Sequence, residues 1–304
     1  MAEFIQQLVN GLALGSIYAL IALGYTMVYG ILRLINFAHG DVYMVGAMIG
    51  FYTLPTLQQQ FHIEIANPNL RLTVVLLSAM VVCGLLGFVI ERFAYRPLRK
   101  APRLNALITA IGVSLFLEYF GQYLFGADPK FFPQLIENKE VINIGGVVVN
   151  NIQLIILITS FVLMLGLNTL VMKTRVGKAM RAVSFNPTAS QLVGINVNYV
   201  ISWTFVVGST LAAAAGILVG LSNPKIDPLM GLMPGLKAFV AAVLGGIGNI
   251  PGALIGGLLL GIAETLVAGY ISSTYRNALA FVILILILLI RPSGLFGKPS
   301  QEKV

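Results

Sequence analysis

Four residues near the start of the sequence could do chemistry together: Asn36, His39, Gly40 and Asp41. They stand in the stretch LINFAHGDVY between apolar runs, where a histidine and an aspartate could form a catalytic pair or part of a metal site. Both roles need further partners, and the second histidine, His62, falls in a predicted outer loop. The third interpretation is a helix break, in which Asn36 caps a helix or bonds local backbone and Gly40 adopts conformations that other residues resist. We favour the break and expect no catalytic residue and no metal site.

The composition places these residues in a membrane. The chain has 304 residues, of which 58% are hydrophobic and 10% charged, and its mean hydropathy is +0.90. A soluble domain carries roughly 25% charged residues, so this chain cannot cover a water-facing surface. We therefore predict an all-α integral membrane protein with a single transmembrane domain over residues 1–304. The formal charge of +8 lies mostly in short loops, which argues against nucleic-acid binding.

Charge-free stretches of about 20 residues mark the helices that span the membrane. They predict a polytopic bundle of eight or nine transmembrane helices, and the count is open because a Gly-rich motif interrupts residues 236–270. The candidate spans are 4–31, 42–58, 72–90, 104–125, 152–172, 199–222, 236–249, 251–270 and 271–290.

The basic loops predict the orientation. Residues 91–103 hold five Lys or Arg against one acid, and residues 173–181 hold four and no acid. Because cytoplasmic loops carry an excess of Lys and Arg, we expect loops 91–103 and 173–198 in the cytoplasm and 126–151 outside. Counting spans then places the N-terminus outside and the C-terminal tail, with Arg291, Lys298 and Lys303, in the cytoplasm.

A second interruption falls at 244–252, so the broken or re-entrant segments are expected near 34–41 and 244–252. Two discontinuous segments in corresponding halves of a chain are typical of a transport pathway. The alternative is that small residues merely let helices pack closely, as in the GxxxG spacings that begin at Gly252 and Gly257. For the individual glycines both interpretations stay open, and for the paired pattern we favour the pathway. The candidate residues of this second break are Gly245, Gly246, Gly248, Asn249, Pro251 and Gly252.

A short helix is predicted over 187–193, inside the second basic loop. Asn186 is a suitable N-cap, Pro187 fits the first helical position, and Gly194 is a C-terminal stop. Such a short projection from the membrane suits docking in a groove of a soluble partner. Its small apolar face would consist of Ala189, Leu192 and Val193, and Arg181 belongs to the basic segment before it.

The predicted spans also contain ionisable residues: Glu118, Glu264 and Lys237. Ion-coupled secondary transport would need such groups, but pairing within the chain or at a subunit interface is the interpretation we favour. The sequence has no P-loop, no His/Cys cluster at metal spacing, and no GxSxG or HExxH motif. We therefore expect a transport protein that is not an enzyme and binds no cofactor itself.

Three motifs carry a resemblance: INFAHGDVYMVGA, RAVSFNPTASQLVGI and KAFVAAVLGGIGNIPGALIGGLLLG. The chain closely resembles the permease subunits of branched-chain amino acid ABC importers, in the class with INFAHG after the first span. The resemblance implies transport of leucine, isoleucine and valine across the cytoplasmic or inner membrane of a bacterium or an archaeon. Importers of urea, short-chain amides or other amino acids in the same family are the alternative.

The resemblance also implies a set of partners. They are a homologous second permease, two ABC ATPase subunits that use ATP and Mg, and an extracytoplasmic substrate-binding protein. In that family the segment matching 178–195 contacts the ATPase. A common variant carries an acidic residue near Ser184 and Phe185, and this chain has none there.

Overall fold

The computed structural model describes residues 1–99 and 101–297, apart from the side chain of Arg103. Lys298 and Lys303 of the predicted cytoplasmic tail lie outside the described residues. Within these described residues, nine helices correspond to the nine candidate spans, and two more helices occupy the loop 173–198. The helices are α1 Ala2–Leu32, α2 His39–Gln60, α3 Pro68–Ile90, α4 Arg103–Phe125, α5 Asn151–Lys173, α6 Arg175–Phe185, α7 Pro187–Leu192, α8 Val197–Ser222, α9 Leu232–Gly245, α10 Ile250–Tyr270 and α11 Arg276–Ile290.

Within the described residues, seven helical stretches are long and apolar enough to cross a membrane. The polytopic helical bundle is therefore confirmed. Among the nine helices at the candidate spans, the two below that standard are α9 and α2. Helix α9 has 14 residues, and α2 has 22 residues but includes Asp41 and three consecutive glutamines. Both helices begin inside the protein and not at its surface, so neither of them is a complete, uninterrupted span.

Helix α1 lies at the centre of the bundle, and 89% of its most apolar window is buried. It packs against α10 through small residues: a Cβ atom placed on Gly257 would lie 2.5 Å from the Cα of Ala19, and Gly261 faces Gly15 in the same way. Close packing is thus confirmed for these glycines, because a larger side chain would force the helices apart. Helices α3, α4, α5 and α11 form the periphery and leave apolar faces exposed.

The loop 126–151, which was predicted to lie outside, contains short strands that the sequence did not predict. Strands β2 Glu140–Ile144 and β3 Val147–Asn150 form an antiparallel hairpin, and β1 Lys130–Phe131 pairs with β4 Lys225–Ile226 beyond α8. The side chain of Gln6 fastens the hairpin to α1, because it accepts from Val148 N–H at 2.7 Å and donates to Val148 O at 3.0 Å.

The predicted cytoplasmic loop 91–103 does not begin as a loop. A π-helical turn, Glu91–Tyr95, continues α3. Glu91 is fully buried, pairs with Arg99, and accepts a hydrogen bond from Ser202 Oγ at 2.5 Å. Burial lowers the pKa of the Arg99 guanidinium, while the Glu91 carboxylate acts in the opposite direction. The sequence did not indicate this helical turn or the burial of Glu91, because the partners of the Glu91 carboxylate are supplied by the fold.

Candidate translocation and coupling site

The first break is confirmed between α1 and α2. Helix α1 ends at Leu32, Arg33 has a left-handed backbone (φ 54°), and α2 begins at His39. The ring of His39 lies against Gly24, and its centroid is 4.9 Å from that of Tyr25. Gly24 precedes the end of α1 by about 12 Å of helix. The connecting residues 33–38 therefore turn back into the bundle, and α2 starts inside the protein.

The polar side chains of this break are buried in protein. Asn36, His39 and Asp41 are 3%, 1% and 2% exposed. Asn36 Oδ1 accepts from Tyr95 OH at 2.9 Å, and Asp41 Oδ2 accepts from Ser114 Oγ at 2.5 Å. Asn36 is therefore not the helix cap that was one of its predicted roles, because its side chain holds Tyr95. Within the described residues, His39 Nε2 has no hydrogen-bond partner.

Gly40 has a different role from the predicted one. Its backbone is helical and does not have positive φ, so unusual backbone angles are not the reason for glycine here. A Cβ atom on Gly40 would instead lie 2.5 Å from the carbonyl oxygen of Gly231 and 2.9 Å from the Cα of Gly235. Gly231 is the N-cap position of α9. The starts of α2 and α9 therefore meet inside the bundle, and only glycines permit that approach.

The second interruption is confirmed between α9 and α10, and it lies near the C-terminal end of α1. Gly246 and Gly248 have φ of 102° and 91°, and Asn249 caps α10 by accepting from Gly252 N–H at 3.1 Å. Pro251 stands in the first turn of α10, as its type suggests, and Gly245 and Gly252 are in close contact. A Cβ atom on Gly30, near the end of α1, would lie 3.5 Å from the Cα of Gly248.

The role of the paired segments 34–41 and 244–252 in a transport pathway stays a prediction, and the structure adds a contact that the sequence did not indicate. The segment that meets the first break is the start of α9, at Gly231 and Gly235. Ten residues of helix, about 15 Å, separate Gly235 from Gly245 at the second interruption. Glycines mark both places in the sequence, and only the packing of α9 distinguishes a contact inside the bundle from a turn at its end.

Lys237 and Glu264 form a buried ion pair. Glu264 Oε1 accepts from Lys237 Nζ at 2.7 Å, from Arg276 Nε at 2.5 Å and from Tyr18 OH at 3.2 Å. The sequence indicated Lys237 and Glu264 but missed Arg276 and Tyr18, although an arginine at the start of the next span was a usable signal. Glu118 lies apart from this group, on α4, one turn beyond the Ser114 that bonds Asp41.

Helix α7 forms as predicted and is one residue shorter, ending at Leu192. Asn186 Oδ1 accepts from Ala189 N–H at 3.0 Å, Pro187 is the first residue, and Gly194 has φ of 83°. Ser190 faces the protein and is buried. The predicted apolar face points outward: Ala189 is exposed, and Leu192 and Val193 are 85% and 75% exposed.

Arg181 is occupied within the chain. Its Nη1 donates to the carbonyl of Val171 near the end of α5, which satisfies a group that lacks an intrahelical partner there. Arg181 and Ser184 of α6 also line a cavity of about 90 Å³ with Gly248 and Ile250. The loop that carries α7 is thus adjacent to the turn between α9 and α10.

Comparison with known proteins identifies the family. The family described as "Branched-chain amino acid transport system / permease component" matches residues 7–289. The chain belongs to this permease family. The match includes both breaks, the ion pair at Glu264 and helix α7, and together with the apolar helices it makes the chain a multi-pass membrane protein.

Individual relatives match this permease over nearly its whole length. It is 44% identical to the high-affinity branched-chain amino acid transport system permease protein BraD of Pseudomonas aeruginosa, over 99% of this chain and 98% of the relative. Identity to the corresponding protein LivH of Escherichia coli K12 is also 44%, with the same coverage. A probable branched-chain amino acid transport permease protein LivH of Methanocaldococcus jannaschii is 29% identical over 93% of this chain and 89% of its own length.

The geometry of the first break predicts unequal effects of two substitutions. His39→Gln should retain appreciable transport, because it keeps polar atoms in a site where Nε2 makes no hydrogen bond within the described residues. Gly40→Val should abolish most transport, because its side chain would collide with Gly231 and Gly235; overpacking costs about 1–3 kcal/mol or more. Substrate uptake at equal expression measures both. Loss of uptake in His39→Gln together with normal uptake in Gly40→Val would contradict this account of the break.

Proposed function

We propose that this chain is the membrane-spanning permease subunit of an ABC importer and that it translocates leucine, isoleucine and valine. The observation that carries the proposal is the 44% identity over 99% of the chain to permeases named for branched-chain amino acid transport. On this proposal the chain has no catalytic site and binds no cofactor. Separate ATPase subunits hydrolyse ATP with Mg, a homologous second permease completes the membrane part, and an extracytoplasmic binding protein delivers the substrate.

Helix α7 supports the docking of an ATPase subunit. Its outward face is apolar and exposed, and Phe185, just before it, is 90% exposed. The caps at Asn186 and Gly194 stabilise the two ends of this six-residue helix. A short helix with an exposed apolar face, carried on a basic loop, suits insertion into a groove of a soluble protein. We therefore assign the contact with the ATPase to Ala189, Leu192 and Val193.

The meeting point of α2 and α9 supports a location for the transport route. Both helices begin there, and helix N-termini carry partial positive charge. In transporters built from discontinuous helices, such ends lie at the substrate site. We place the substrate route beside the contact of Gly40 with Gly231 and Gly235, and its opening would require this contact to change.

The distribution of charge between the two ends of the molecule supports an orientation in the membrane. One end carries the hairpin of the 126–151 loop, and the other carries α6, α7 and the turn at Gly248. Because the basic residues concentrate in the second group of loops, we place that end in the cytoplasm and the N-terminus outside.

An impermeant thiol reagent applied to intact cells should label a cysteine at Asn138 and spare one at Thr188. The native Cys83 is buried and gives a low background; the reverse labelling pattern would refute this orientation.

The substrate and the energy source can be tested in one reconstituted system. The tagged permease should co-purify with a second permease and with ATPases, and the complex in vesicles should take up leucine when ATP and binding protein are supplied. Urea, supplied with the same components, should not be taken up. Uptake of urea but not leucine would favour the alternative within the family, and leucine uptake driven by a proton gradient without ATP would replace the ABC mechanism with ion-coupled transport.

A further inference from the structure

The segment after α11 folds back onto the end of α9. Leu295 N–H donates to the carbonyl of Leu244 at 2.8 Å, and Phe296 N–H donates to the carbonyl of Gly245 at 3.1 Å. We call residues 291–297 the C-terminal strap. A Cβ atom on Gly294, which has φ of 78°, would lie 2.5 Å from both the Cα and the nitrogen of Gly246. The contact is therefore between backbones and leaves no space for a side chain.

The strap makes hydrogen bonds that α9 cannot supply. The last carbonyls of any α-helix lack intrahelical partners, and α9 ends after only 14 residues, at a turn packed against α1 and α10. Two of those carbonyls, at Leu244 and Gly245, are bonded by the strap. The C-terminus of α9 is thus capped by a segment that lies about fifty positions later in the sequence.

Asn249 joins the strap to the start of α10. Its Oδ1 accepts from Gly252 N–H at 3.1 Å and caps α10, while its Nδ2 donates to the carbonyl of Phe296 at 2.8 Å. One amide side chain therefore fixes the strap, the turn and α10 in a single arrangement.

Helix α9 connects the two regions that the transport cycle uses. Its first turn touches Gly40 of the break, and the turn after its last residue, at Gly248, borders the cavity that Arg181 and Ser184 of α6 also line. One route from α6 and α7 to the break therefore runs along α9, and on this route the strap fixes the position of the helix end.

We propose that the C-terminal strap is a positioning element for coupling: with Asn249, it fixes the end of α9 so that movement at α7 is transmitted to the break at Gly40. This role rests on the proposed function, since it assumes an ATPase at α7. The strap touches neither substrate nor nucleotide on this proposal. It sets the geometry of the element between them.

Asn249→Asp tests the strap selectively. Aspartate keeps the acceptor that caps α10 but loses the N–H donor to Phe296 and sets a carboxylate against that carbonyl. The matched control is Asn196→Asp, because Asn196 caps α8 through Tyr199 N–H in the same way. A second pair addresses the backbone: Phe296→Pro removes the N–H that reaches Gly245, and Phe296→Ala keeps it.

The measurement is the ratio of leucine-stimulated to basal ATP hydrolysis in the reconstituted complex, at equal amounts of assembled complex. We expect the stimulated part to fall about tenfold in Asn249→Asp and Phe296→Pro, the factor that corresponds to a loss of about 1.4 kcal/mol. The two control variants should stay within about twofold of the parent, since each keeps the bond that matters.

The possible outcomes separate the strap from the proposed function. A normal ratio per complex in both strap variants, even with less complex formed, would show that the strap only stabilises the fold and would overturn the inference. If one variant does not assemble, the other decides, because the two remove different bonds. A normal ratio in the strap variants while Ala189→Asp uncouples the complex refutes the strap alone, whereas normal coupling in Ala189→Asp refutes the docking assigned to α7.

Discussion

Replacing Ala189 by aspartate should remove most association with the ATPase subunits while leaving insertion into the membrane intact. Ala189 is exposed in the chain, so the substitution costs the isolated permease little. Docking would enclose the new carboxylate without a partner, and burying an unpaired charge costs several kcal/mol even after relaxation. Because each 1.4 kcal/mol changes a binding constant tenfold, affinity should fall at least about a hundredfold. Co-purification with the ATPases and leucine-stimulated ATP hydrolysis measure the effect.

Two further substitutions accompany Ala189→Asp. Gly194→Val should also impair coupling, because the left-handed backbone at φ 83° is strained for a β-branched residue. Gln191→Ala is the matched control on the same helix and should be mild, since it neither adds charge nor changes the apolar face. Full ATPase association in Ala189→Asp would mean that α7 is a connecting element, and the docking site would move to the loop 91–103.

Replacing Glu264 by glutamine should strongly destabilise the permease. The carboxylate of Glu264 is the counter-charge of Lys237, whose side chain is only 7% exposed. Removing one partner of a buried ion pair costs about 3–5 kcal/mol, because the other charge stays buried and unpaired. The midpoint of denaturant or thermal unfolding of the purified complex should fall accordingly. The loss of monodisperse protein measures this midpoint.

A double variant separates the charge effect from a simple packing defect. Lys237→Met combined with Glu264→Gln removes both charges at similar volume, and Arg276, with a side chain that is 43% exposed, can turn to water. The double variant should therefore recover much of the lost stability. Glu137→Gln is the matched control, because the ion pair of Glu137 with Lys139 is largely exposed. This substitution should have no measurable effect on stability. A double variant less stable than Glu264→Gln alone would show that the unpaired charge is not the cause.

The sequence by itself determined the features whose causes are local. Apolar stretches of the sequence located the nine described helices that correspond to the candidate spans, including the short α9. The caps at Asn186 and Gly194 fixed α7, because a cap depends on residues three or four positions away. The motifs were sufficient to indicate the permease family that the comparison then established.

Only the tertiary structure decided which distant residues meet. Glu264 reaches Tyr18, 246 positions away, Gly40 faces Gly231, and the strap caps α9. Hydropathy cannot indicate such contacts, because in a chain that is apolar almost throughout every helix could face lipid or protein equally well. Which faces meet depends on how closely the backbones approach and on whether each buried polar group finds a partner. These conditions apply to the whole bundle. They explain why Asn36 and Gly40, which were predicted to act on the local backbone, instead make contacts between helices.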